Sequence, residues 1–252
     1  MKTEVLGRGV PVMFVHGALT NGPVSWSKQK PLGERWRLIV LNRPGFAPNP
    51  PVKRSDFDSD ARAVAALLRE EAPAHLVGHS YGGLIALLAA SRAPEAVLSL
   101  TVIEPPVFSL MRGDADIEAS LAGHAALVAT HDGDLRAFLT AFTASLGGNA
   151  SSVPNPLPPD LVQHAQLLLD ERLPSEATIP AATLAKAAWP KLVVSGGHSA
   201  MHARMCDTLA AALEPRVQRA VLTGRGHSVQ RLGEPFNELL EKFMLAATPS
   251  PA

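Results

Sequence analysis

A chain of 252 residues with 46% apolar and 18% charged side chains has the length for one large core with an insertion, and lies outside the polar, highly charged range of disordered chains. Its 23 basic and 23 acidic residues balance, which removes any overall electrostatic pull on nucleic acid or an anionic membrane, and its single cysteine, Cys206, excludes an internal disulfide and a thiolate zinc site. The amino end, Met1-Lys2-Thr3-Glu4-Val5, lacks an apolar signal core and no apolar run approaches the ~20 residues of a membrane span, so the expectation is a cytoplasmic protein without membrane or nucleic-acid partners.

From the amino end, residues 10–15 (Val-Pro-Val-Met-Phe-Val) form an apolar run suited to a strand buried on both faces, ending at His16-Gly17. A second strand is expected over 36–41, closed by the turn residues Asn42, Pro44 and Gly45. Residues 56–71 read as a helix with acids in the first turn and Val64, Leu67 and Leu68 on one stripe; Pro73 ends it. A short strand over 74–77 then meets Gly78-His79-Ser80-Tyr81-Gly82-Gly83, and a helix follows over 84–91. After Pro94, a strand over 97–103 ends at Glu104-Pro105-Pro106. This alternation implies an α/β fold with a mainly parallel sheet, whose ligands gather at the carboxyl ends of the strands, where His16, Ser80 and Glu104 stand.

From 107 to 188 the pattern turns helical, with segments expected near 114–130, 134–146 and 160–172, started by Asp114, Asp134 and Asp160, and a proline-rich linker over 151–159. The expected organisation is a core of residues 1–106 and 189–252 carrying a helical lid over 107–188. The sheet resumes over 191–195, a helix follows over 203–213, and 217–222 is the last strand. Gly224 and Gly226 make a tight loop presenting His227, and a helix over 234–246 closes the chain before a frayed tail at 248–252.

The chemistry starts at Ser80. Its flanking glycines, 78 and 82, suit a strained strand-to-helix turn in which no β-carbon fits, and this turn exposes the Ser80 hydroxyl at the positive end of a helix. The Tyr81 N–H is free there to donate to an oxyanion. A serine hydroxyl needs a neighbouring base, and that base needs a third group to hold its tautomer. His227, in its glycine loop after the last strand, suits the base. His79 adjoins Ser80, but consecutive residues at such a turn point apart, so packing or loop hydrogen bonding is expected of it. The same is expected of His16.

In order and context, His16-Gly17, Gly78-His79-Ser80-Tyr81-Gly82 and Gly224-Arg225-Gly226-His227 resemble the α/β-hydrolase family over nearly the whole chain. The resemblance implies the α/β-hydrolase fold, the chain order Ser, acid, His, and the Ala18 N–H as a second oxyanion donor beside that of Tyr81. The acid departs from the commonest family pattern, which would place an aspartate at Ser199; Asp207 follows too late, inside an expected helix. Some members, including haloalkane dehalogenases and certain lactone hydrolases, take the acid from the strand after the elbow helix, which here makes Glu104 the expected acid.

The implied function is a serine hydrolase cleaving an ester, thioester or lactone of a small-to-medium apolar substrate, with no cofactor. A serine where haloalkane dehalogenases and epoxide hydrolases carry aspartate argues against those chemistries. Carbon–carbon bond hydrolysis on the same triad, or a non-catalytic small-molecule sensor, are the alternatives. Phe108, Met111, Phe138, Phe142 and Trp189 are the expected pocket residues. His198 and His202 have the i, i+4 spacing of a metal pair, but no His-Glu-x-x-His pattern surrounds them and no third ligand is evident, so no metal is expected.

Overall fold

The computed structural model describes residues 1–248. Seven strands form one sheet: β1 (Lys2–Leu6), β2 (Pro11–Val15), β3 (Arg37–Asn42), β4 (Ala74–His79), β5 (Val97–Ile103), β6 (Lys191–Ser195) and β7 (Val217–Val221), in spatial order β1-β3-β2-β4-β5-β6-β7. All neighbours run parallel except β1, which pairs antiparallel with β3. The central strands are apolar runs because both faces are covered, and every residue of β4 is buried. The sequence reading missed β1. It is a largely exposed edge strand, so Lys-Thr-Glu-Val-Leu offers no apolar run to recognise.

The helices begin with α1 (Gly22–Ser25), a single turn capped by Asn21, and α2 (Phe57–Glu71), whose Asp56 cap accepts the Asp58 and Ser59 N–H groups. The elbow helix α3 (Tyr81–Arg92) is buried continuously from Tyr81 to Ala90, which explains why it is apolar all round. Between β5 and β6 the chain forms α4 (Ala115–Ala129), α5 (Leu135–Ser145), α6 (Pro159–Leu169) and α7 (Ala181–Lys186). Asp114 and Asp134 cap α4 and α5, whereas Asp160 lies in the first turn of α6 behind Pro158 and Pro159.

Phe138, Leu139, Val153, Ala165 and Leu168 bury one another in a cluster separate from the cores on the two faces of the sheet. The last part of the expected insertion packs differently. Ala177, Ile179 and Leu184 join the sheet-side core with α3, so this segment is held by the sheet rather than by the insertion's own cluster. After β6 come α8 (Ala200–Ala212) and α9 (Glu234–Ala247); Phe236, Leu240, Phe243 and Met244 of α9 pack with Val12, Phe14 and Val77 on the opposite face. Thr248 is not frayed, because its hydroxyl donates to the Met244 carbonyl; residues 249–252 lie outside the described part. Among the described residues, no helix is long and apolar enough to cross a membrane.

Candidate active site

The β4–α3 turn places Ser80 in the left-handed region, with φ 54° and ψ −126°. A β-carbon on Gly78 would lie 2.4 Å from the Gly82 carbonyl oxygen, and one on Gly82 would lie 2.4 Å from the carbonyl oxygens of Val15 and His16. Only glycine allows so close a passage. The Ser80 N–H donates to the Ile103 carbonyl at 2.8 Å, and the Ser80 carbonyl accepts from Gly83 and Leu84, so the backbone on both sides is tied down. Tyr81 opens α3, where a helix leaves its first N–H groups without an intrahelical acceptor. Ala18, Ser80 and Tyr81 line one cavity.

Glu104 ends β5 at φ 42° and is 2% exposed. Its N–H donates to the Val194 carbonyl at 3.0 Å, and its Oε1 accepts the Gly196 N–H at 2.7 Å. Oε2 lies 2.6 Å from His227 Nδ1. Burial acts to raise the Glu104 pKa, but the hydrogen bond from His227 and the electrostatic pull of that ring, with the Gly196 N–H, hold it below the ordinary value. An ionised carboxylate only accepts, so Nδ1 carries the hydrogen, and in the neutral ring Nε2 is left as a bare lone pair. That Nε2 is buried and has no hydrogen-bond partner among the described residues, and His227 lines the cavity with Ser80.

His79 holds the loop behind this pair. Its Nε2–H donates to the His227 carbonyl at 2.9 Å, and its Nδ1 lies 3.3 Å from the Gln230 amide nitrogen. Burial, aided by the nearby His227 ring, lowers its pKa to about 3, so it is a neutral tether. Ser199 caps α8 by accepting the His202 N–H, and Asp207, 65% exposed, pairs with Arg219 at 2.8 Å, away from His227's carboxylate partner. His198 stands before α8 and His202 in its first turn, with ring centroids 5.2 Å apart. Glu104 lies beside them, and one ligand atom from each of the three falls within 4.8 Å of the others. Spacing along the sequence concealed this third group, which arrives from β5.

Sequence reasoning also missed a buried charge cluster beneath the loop after β2. The Arg43 guanidinium is fully buried and donates to Asp60 Oδ2 (2.9 Å), the Gly17 carbonyl (3.0 Å), Ser55 Oγ (2.5 Å) and Glu171 Oε2 (3.4 Å). It also lies 4.3 Å from the centroid of the Tyr81 ring, whose hydroxyl accepts from the Phe57 N–H and donates to the Arg172 carbonyl. Glu171 follows α6, so the cluster joins the insertion to the loop bearing Ala18. Burial pushes the Glu171 carboxyl up to about 7 against the pull of Arg43. His16 donates from Nδ1 to the Gly17 carbonyl (2.8 Å) and accepts the Arg43 N–H at Nε2 (3.0 Å), which occupies both nitrogens in shaping this loop. A cation in a turn at the carboxyl end of a buried strand was the available signal.

The cavity over Ser80 measures about 940 Å³. Phe108 and Phe142 line it, as expected, joined by Leu121 and Leu127 of α4 and Met201 and Met205 of α8. Met111, Phe138 and Trp189 do not. Phe138 fills the insertion's own cluster, Met111 packs on the sheet-side core, and Trp189 sits in that core with its indole N–H on the Pro94 carbonyl at 3.0 Å. Phe138 and Trp189 went to the cores, while the cavity drew in addition on the alanine-rich α4, whose pattern has no sharp apolar stripe.

A family model of the alpha/beta hydrolase fold matches residues 10–152. The chain is 39% identical over 101 residues to a pimeloyl-[acyl-carrier protein] methyl ester esterase from Methylococcus capsulatus, a match spanning 40% of this chain and 39% of that protein. Two solved structures superpose over almost the whole chain. MenH from S. aureus has a TM-score of 0.76 at 15% identity, covering 97% of this chain and 98% of its own. Est816, described as an N-acyl homoserine lactone degrading enzyme, has a TM-score of 0.69 at 22% identity, covering 96% of each. At these identities the two structures share the fold.

Proposed function

The chain belongs to the α/β-hydrolase family, and from that premise we propose that it hydrolyses carboxylic esters of small-to-medium apolar acyl groups, with Ser80 as nucleophile, His227 as general base and Glu104 as the orienting acid. The observation that carries this reading is the 2.6 Å bond from His227 Nδ1 to Glu104, which leaves Nε2 unpartnered beside the cavity that Ser80 lines.

Ser80 Oγ attacks the ester carbonyl as His227 Nε2 takes its proton. The resulting oxyanion is held by the N–H groups of Ala18 and Tyr81, backbone donors that need no reorganisation as charge develops. Collapse expels the alcohol, which receives the proton from His227, and leaves an acyl group on Ser80. Water, deprotonated by the same imidazole, then releases the acid. Glu104 remains ionised throughout and stabilises the imidazolium.

Helices α4, α5 and α6 act as a lid in this reading, and the residues they place over Ser80 select the acyl group. The apolar lining supports an apolar acyl chain, and the Methylococcus capsulatus relative, a methyl ester esterase by name, supports an ester bond. A panel of methyl and 4-nitrophenyl esters of increasing acyl length, with lactones and thioesters alongside, tests it. Turnover rising with apolar chain length, and lost in Ser80→Ala, is the expected result. Folded protein that hydrolyses none of them contradicts the reading.

A further inference from the structure

Two imidazoles stand behind the Glu104–His227 pair, and hydrolysis as derived above uses neither. The bonding of His198 fixes its tautomer. Its Nε2 lies 2.9 Å from the Leu146 carbonyl oxygen, which only accepts, so Nε2 carries the hydrogen. In the neutral ring Nδ1 is then a bare lone pair, buried without a hydrogen-bond partner among the described residues and 3.5 Å from Glu104 Oε1. That carboxylate oxygen accepts the Gly196 N–H, and in the ionised carboxylate it has no hydrogen to offer Nδ1. Two electron-rich atoms therefore face each other out of water. His202, 4% exposed, brings a further ring nitrogen, Nδ1, that is buried and without a hydrogen-bond partner among the described residues, and that is a lone pair when Nε2 carries the ring's hydrogen. Native proteins rarely leave such groups unmatched unless something occupies the space between them.

We propose that Glu104, His198 and His202 bind one divalent transition-metal ion of the zinc type. Two imidazole nitrogens and one carboxylate oxygen suit zinc and exclude the oxygen-preferring calcium and magnesium ions. The Leu146 carbonyl on the far nitrogen of His198 orients that ring as the outer partners of metal-binding histidines do. One ligand atom from each of the three residues lies within 4.8 Å of the others, a limit wider than the roughly 3.3 Å edge of a tetrahedron with bonds near 2.05 Å, so small side-chain rotations close the site around the ion. Three protein donors leave one tetrahedral position free. Glu104 and His202 both line the substrate cavity, so that position is reachable by water or by substrate.

The ion engages Oε1 while His227 is held by Oε2 of the same carboxylate. It draws negative charge away from the imidazole and narrows the cavity floor, so the occupied protein is an inhibited hydrolase. This consequence rests on Glu104 being the triad acid; the binding itself does not. A proton on His198 Nδ1, making an imidazolium–carboxylate pair, is the competing occupant.

Calorimetric titration of the metal-stripped full chain with zinc chloride at neutral pH separates the two, with visible absorption of the cobalt(II) form reporting tetrahedral nitrogen–oxygen ligation. One ion per chain at micromolar affinity or tighter is expected, weakened at least tenfold in both His198→Asn and His202→Gln and unchanged in Ser80→Ala. Thermal melts of each variant establish that it is folded, and zinc should raise the wild-type Tm but not that of His202→Gln. No stoichiometric uptake by the wild type, or uptake that survives both histidine changes, overturns the site in favour of the protonated pair. Ester turnover that zinc abolishes and a chelator restores is the expected functional result. Tight zinc binding to a chain that hydrolyses no ester even when stripped overturns the hydrolase reading and leaves the metal site standing.

Discussion

Glu104 and His227 meet through a 2.6 Å hydrogen bond across 123 residues of sequence. The carboxylate is aimed by its own strained backbone, at φ 42°, a conformation that costs a non-glycine residue about 1–3 kcal/mol and persists where its surroundings over-determine it. Here the Val194 carbonyl and the Gly196 N–H supply that determination.

Removing the Glu104 charge while keeping its shape isolates that role. Glu104→Gln should lower kcat by about 10³–10⁴-fold, because an amide cannot stabilise the imidazolium and favours the wrong tautomer, with little change in KM. Asp207→Asn should stay within about twofold, since that carboxylate is exposed and engaged by Arg219. Steady-state kinetics on the two variants, with melting curves, check both outcomes.

Arg43 anchors the loop that carries Ala18. Arg43→Met leaves Asp60 and Glu171 buried without their cation and strips a donor from the Gly17 carbonyl, so it should destabilise the fold by about 3–5 kcal/mol in urea unfolding. Arg43→Lys keeps the charge but cannot span Asp60, Gly17 and Ser55 together, and should recover only part of that loss.

Glu171 gives the chain a pH signature. With its folded-state pKa raised to about 7 from an ordinary 4.5, the folded protein binds more protons than the unfolded chain between those values. Its contribution to stability is therefore complete below about pH 4.5 and is lost as pH rises through about 7. The wild-type Tm should fall more steeply from about pH 5 to about pH 8 than that of Glu171→Gln. Parallel curves would place the carboxyl in an ordinary environment.

The elbow leaves no room at Gly82. Gly82→Ala drives a β-carbon into the carbonyl oxygens of Val15 and His16, neither of which is the movable end of a side chain, and should cost about 3 kcal/mol in denaturant unfolding. A loss below about 0.5 kcal/mol would mean that β2 and α3 separate easily.

The central parallel strands were legible because burial on both faces makes them largely apolar, and the elbow because close passage demands glycine at fixed positions. Asp56, Asp114 and Asp134 marked helix starts through a local hydrogen bond that any reader of sequence can anticipate. What stayed hidden depends on contacts between distant segments. Arg43 meets Glu171 across 128 residues, and nothing near either one announces the other. Glu104 joins His198 and His202 only because β5 and β6 are neighbours in the sheet. The cavity was half legible for a related reason: helical spacing put Phe138 and Phe142 on one face, but only packing decided that Phe142 lines the space over Ser80 while Phe138 fills the insertion's own core.

The most direct test of the account is fluorophosphonate labelling of the purified protein beside Ser80→Ala and Glu104→Gln, read by intact mass. One adduct per chain on the wild type, none on Ser80→Ala and slowed labelling of Glu104→Gln is the result the account predicts. A folded wild type that takes up no label, or a Ser80→Ala protein labelled as fast as the wild type, would contradict it.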